Sequence, residues 1–136
     1  MPTSPQFTFK SEAFPVEPGE DAEVNPGVFG KALAGWLADE LRKAGYEVKG
    51  ALAEDFGRLV ELGAPSGRLY VAASSTDESA TEWRVFAISE QGLLTRLRGG
   101  PGASEILAGI TPKLRNLLVA HPGIHDLQED GDVDDA

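Results

Sequence analysis

Three groups of residues in this sequence have types and spacings that bear on chemistry. His121 and His125 stand four apart, the spacing at which two imidazoles on one helical face can hold a transition metal. Pro122 and Gly123 lie between them and break such a helix. The pair therefore reads as a helix exit, where an imidazole also faces the negative end of the dipole, and no metal is expected. Glu54 and Asp55 are adjacent carboxylates of the kind used in acid–base work, yet neighbours in extended chain point to opposite sides. They read as a turn that opens a strand. Arg96-Leu-Arg98-Gly-Gly-Pro-Gly102 leads towards Ser104, a candidate N-cap. A glycine-rich loop before a helix offers free N–H groups and a positive dipole end to an anion. Arg96, Arg98, Gly99, Gly100 and Gly102 are thus the candidate anion site, but no P-loop or dinucleotide fingerprint is present.

Other residues suit recognition better than catalysis. Tyr70, Trp83 and Phe86 lie in strand-like segments, and aromatic side chains on a free sheet face anchor protein partners. Glu17, Glu20, Asp21 and Glu23 crowd a Pro- and Gly-containing stretch. A solvated acidic run of this kind keeps a protein soluble or steers a basic partner inwards. Trp36 belongs to a helical apolar stripe and reads as core.

Composition limits the classes. The chain has 136 residues and 14.4 kDa, with 12 Lys+Arg against 22 Asp+Glu and a net charge of −10. That size fits one domain. That charge opposes general nucleic-acid binding, which needs clustered cations to displace counterions from phosphates. The absence of cysteine removes disulfides, thiolate metal sites and thiol nucleophiles. The first residues lack the basic and apolar regions of a signal peptide, and no apolar run is long enough to span a bilayer. A cytoplasmic protein without cofactor is expected.

The elements that must position these groups follow from periodicity. Phe7–Ser11 alternates as a short strand, and the Phe14–Pro26 stretch reads as surface loop. Asn25-Pro26 predicts a helix start. Phe29, Leu33, Trp36, Leu37 and Leu41 then make an apolar stripe, and Gly45 ends it. The period next falls to two. Strands are predicted around Tyr46–Leu52, Leu59–Leu62, Arg68–Ala73 and Glu82–Ser89, the last apolar on both faces and hence central. Ile106, Ile110, Leu114, Leu117 and Leu118 mark a second helix, interrupted or kinked at Thr111-Pro112. Ile124–Leu127 is a candidate edge strand. The expected fold is an α+β two-layer sandwich, a mainly antiparallel sheet of four to six strands with two amphipathic helices on one face. Residues 1–127 form the domain, and the acidic residues 128–136 form a disordered tail.

Phe9-Lys-Ser-Glu-Ala-Phe-Pro15, Pro18-Gly-Glu-Asp-Ala-Glu-Val-Asn-Pro-Gly27, Phe29-Gly-Lys-Ala-Leu-Ala34, Gly45-Tyr-Glu-Val48, Ala53-Glu-Asp-Phe-Gly57 and His121-Pro-Gly-Ile124 together resemble a family of small uncharacterised bacterial proteins. Phe56 stands where those relatives more often carry Trp. The resemblance implies a bacterial cytoplasmic protein and transfers no catalytic residue. The leading expectation is a non-enzymatic acidic binding module, such as an immunity or inhibitor protein that blocks a basic partner. One alternative is a secretion-chaperone-like homodimer. The other is an enzyme or small-ligand binder using the Arg96–Gly102 anion site, with Glu54 or Asp55 as base.

Overall fold

A computed structural model describes residues 2–76, 79–93, 97 and 99–131. The fold is an α+β two-layer sandwich. The elements run β1 (Gln6–Lys10), a short 3-10 turn (Glu20–Glu23), α1 (Lys31–Lys43), β2 (Val48–Glu54), β3 (Gly57–Leu62), β4 (Arg68–Ser75), β5 (Glu82–Glu90), α2 (Ala103–Ala120) and β6 (His125–Asp130). The six strands form one antiparallel sheet in the order β2-β3-β4-β5-β1-β6. Short hairpins join β2 to β5 in sequence. β1 then lies beyond β5, so the chain's first strand separates the four-stranded meander from its last strand.

Alternation sorts the strand residues onto two faces. Val60, Leu62, Leu69, Val71, Val85 and Ala87 point to one face, where Leu33, Leu37 and Leu41 of α1 and Ile110, Leu114 and Leu118 of α2 bury against them. The α1 stripe is therefore the helix side of the core. Gly45 closes that helix with φ +99°, its N–H bonding to Arg42 O and that of Tyr46 to Leu41 O. α2 runs unbroken through Pro112. The Pro is exposed, as is Ala108 one turn earlier, so the carbonyl that loses its helical donor faces water. Thr111 Oγ1 donates to Leu107 O at 2.6 Å.

Four sequence expectations shift. Asn25 does not cap α1; its Nδ2 donates to Asp55 O, and the helix begins five residues later, after Gly30. Ser104 is not the cap of α2; Gly102 is, with Ser104 inside the first turn. The stretch from Phe14 is no loose surface loop, because Phe14 is buried and packs on Trp36 and Trp83. The acidic tail begins later than residue 128. Gln128, Glu129 and Asp130 belong to β6 and pair with Thr8, Phe7 and Gln6. β1 would otherwise leave a row of backbone donors and acceptors unpaired; the rest of that tail, residues 132–136, lies outside the described residues.

Glu129 holds β6 to α2 through two bonds from Arg115, Nε to Oε1 at 2.7 Å and Nη2 to Oε2 at 2.8 Å. The Arg115 hydrogen bonds hold the Glu129 carboxyl below its usual range, against desolvation that pushes it up. A depressed folded value means the stabilisation is present above the unfolded value and disappears as pH falls through the folded one. Urea midpoints of wild type and Glu129→Gln are therefore expected to differ at pH 7 and to converge as pH falls below about 4. A gap that stays constant across that range contradicts the role given to this pair.

Candidate functional site

The face of the sheet turned away from the helices carries a second apolar cluster. Leu59, Tyr70, Ala72 and Ile88 form it, with Phe86 packed alongside, and no residue of α1 or α2 joins it. Strand register sets its shape. Leu52 stands opposite Leu59, Leu59 opposite Ala72, and Ala72 opposite Phe86, one row across four strands. Tyr70 and Ile88 face each other in the adjacent row. Such cross-strand neighbours are the contacts that stabilise a sheet surface.

The row grows more exposed towards the β2 edge. Ala72 is 1% exposed, Leu59 8% and Leu52 46%, and Phe56 in the β2–β3 turn is 41% exposed. Phe86 is partly exposed, with the Arg84 guanidinium 5.7 Å from its ring centroid, a cation–π contact that favours one ring position. The Tyr70 hydroxyl beside Arg68 raises the Arg68 pKa, with the Glu61 and Glu90 charges acting in the same direction.

Of the anchors expected from sequence, Tyr70 and Phe86 lie together on this face. Trp83 does not. It is 1% exposed in the main core, and its indole N–H donates to Ser11 O at 3.1 Å. Trp83 shares a strand with Phe86, but the odd separation sends it to the opposite side. Leu52 and Leu59, which sequence reasoning misses, complete the row. The signal for them was present in the hairpin around Glu54–Gly57, which brings two leucines at equal distance from its turn into register.

The four acidic loop residues also have other work. Glu20 is buried and cannot act as a surface charge. Its Oε2 accepts from Gly30 N and Lys31 N, and its Oε1 from Glu17 N, so a carboxylate ten residues upstream caps α1 and meets the positive end of its dipole. Asp21 accepts from Gly27 N. Glu17 pairs with Lys31 at 2.8 Å, which lowers the Glu17 pKa, and Glu23 pairs with Arg58 at 3.1 Å. Asp21 ties down the loop, while Lys31 and Arg58 offset the charges of Glu17 and Glu23.

Arg96 and Arg98 lie outside the described residues. Gly99 and Gly100 have φ of +77° and +94°, as a tight turn requires. Beside that turn, Tyr46, Pro65, Leu69, Pro101 and Ile106 line a cleft of about 300 Å³. Glu105, in the first turn of α2, also lines it. A carboxylate thus already sits where a bound anion would seek the dipole. Glu54 ends β2 opposite Gly57, with Asp55 in the turn. His121 caps α2 and its Nδ1 accepts from Gly123 N, while His125 starts β6. Among the described residues no three His, Asp or Glu side chains gather as metal ligands, and no helix is long and apolar enough to cross a membrane.

Replacing Glu20 by Ala is expected to lower stability by about 1–2 kcal/mol, the usual cost of losing a cap. Glu20→Gln, which keeps an acceptor oxygen, should recover part of that loss. Chemical denaturation of the three proteins decides it; an Ala variant as stable as wild type would remove the capping role.

The chain matches no family model, no curated protein and no solved structure.

Proposed function

We propose that the protein is a non-enzymatic, cytoplasmic protein-binding module that grips a basic partner through the helix-free face of its sheet. The observation that carries this reading is the apolar row from Phe86 to Leu52, which neither helix covers and which becomes exposed at its β2 end. Apolar area of this kind, flanked by Glu54, Glu61, Arg84 and Glu90, has the make-up of an interaction surface.

Charge supports the choice of partner. At −10 the chain attracts basic surfaces over roughly a Debye length, about 8 Å at physiological salt. The loop carboxylates supply little of that field, since Lys31 and Arg58 stand against Glu17 and Glu23. Steering belongs instead to the acidic chain as a whole, and the aromatic and leucine row sets how long the partner stays.

The test is a comparison of variants on a protein captured from bacterial lysate. Phe86→Asp is expected to weaken retention of that protein by about tenfold or more. Val119→Asp, on an exposed position of α2, should leave it unchanged. Raising salt should slow association more than it speeds release. Retention unaffected by Phe86→Asp, in a variant whose melting matches wild type, would falsify the assignment of this face.

A further inference from the structure

The two edges of the sheet are built differently. β6 carries His125, Asp126, Gln128, Glu129 and Asp130, its register against β1 slips between Thr8 and Lys10, and Asp126 has φ +53°. Charge and irregularity of that kind deter another strand from pairing. β2 has none of this protection at its centre. Gly50-Ala-Leu-Ala53 is uncharged and free of proline, and every residue from Lys49 to Glu54 is exposed. Its one register shift lies at the Val48 end, and its backbone pairs with β3 alone among the described residues.

We propose that the occupant of this edge is a second copy of the chain, paired antiparallel β2 to β2 with the two-fold axis at Leu52. Two observations select this partner and register. An antiparallel pair places opposed residues on the same face, so a symmetric pairing is centred on a residue. Centring it on Leu52 sets Lys49, beside the bulge, opposite Asp55 in the hairpin turn of the second copy, twice. Centring it on Ala51 sets Lys49 opposite Ala53, which loses that match. At the Leu52 register the row Phe86, Ala72, Leu59, Leu52 meets its own image, and the two exposed leucines cover each other.

The carboxylates of β6 add little repulsion to this arrangement. The acidic β6 lies at the far edge from β2. Across a joined sheet the two β6 strands stand eleven strand spacings apart, about 50 Å at roughly 4.8 Å each. That is several Debye lengths. The pairing also joins two helix-free faces side by side. It goes beyond the partner-binding reading and does not depend on it, because dimer mass and partner retention are read separately.

The full chain should sediment at twice 14.4 kDa at about 100 μM. Leu52→Lys, which sets two like charges opposite each other at the axis, is expected to weaken the dimer by about tenfold or more. Lys49→Asp and Asp55→Lys should each weaken it severalfold, and the double exchange should restore it. The chain has no cysteine, so Leu52→Cys adds a single thiol. Directly opposed strand residues have Cα atoms about 4.5–5.5 Å apart, within reach of a disulfide. Mild oxidation should therefore link Leu52→Cys chains at least about ten times faster than Val119→Cys chains. A wild-type chain that remains monomeric at that concentration overturns the proposal. A dimer that Leu52→Lys leaves intact overturns it as well, by placing the interface elsewhere.

Discussion

The buried carboxylate of Glu20 fixes where the helical layer meets the sheet. A desolvated charge costs several kcal/mol unless hydrogen bonds and opposite charge offset it. Glu20 gathers three backbone N–H donors, two of them the first free donors of α1. Below it, Arg58 of β3 donates to the Glu20 carbonyl and to the Glu23 carboxylate, so helix, loop and sheet meet at one point. The fit there is tight. A Cβ on Gly30 would lie 2.7 Å from Ala73 O, and one on Gly57 2.6 Å from the same oxygen. Phe29 and Ser75 exchange hydrogen bonds beside it, Ser75 N donating to Phe29 O and Phe29 N to the Ser75 side-chain Oγ. α1 is thereby pinned over β3 and β4 on one face, and the opposite face of those strands keeps its apolar row uncovered by either helix.

This constraint explains what could be read in the sequence. Periodic signals were legible where neighbours along the chain determine the outcome. The Leu33–Leu41 stripe, Gly45 as the helix stop and the two-sided apolar pattern of β5 all have local causes, and all are found in the fold. The start of α1 was not legible, because Asn25-Pro26 has the better local capping chemistry. Gly30 becomes the boundary only because Glu20 reaches it through space. The strand character of Gln128–Asp130 was hidden in the same way. Its acidic composition suggests a solvated tail, and only the open side of β1 together with Arg115 makes it a strand.

The candidate site was half legible for a reason of parity. Tyr70 and Phe86 belong to strands without irregularities, so their common face follows from alternation and pairing. β2 is different. Val48 and Leu52 are four apart and would share a face in a regular strand, yet Val48 pairs with Leu62 on the helix side and Leu52 with Leu59 on the other. The shift between Val48 and Gly50 inserts one residue and reverses the alternation. One β-bulge thus moves Leu52 from the core to the free face.

That bulge links the helix-free face to the β2 edge of the sheet. Without it, Leu52 would turn towards α1, and the row that begins at Phe86 would stop at Leu59. With it, the row runs to the outermost strand and ends on an exposed leucine. Bulges usually blunt a sheet edge by twisting it. Here the irregularity sits at one end of β2, and the Gly50–Glu54 stretch pairs regularly with β3 up to the hairpin. The charge distribution works in the same sense. Carboxylates line β6 at one edge, and those of the Glu17–Glu23 loop are largely paired with Lys31 and Arg58 or bound to backbone N–H groups. On the β2 side of the free face the apolar row reaches solvent between Glu54 and Glu61, which gives that end an apolar centre with a charged border.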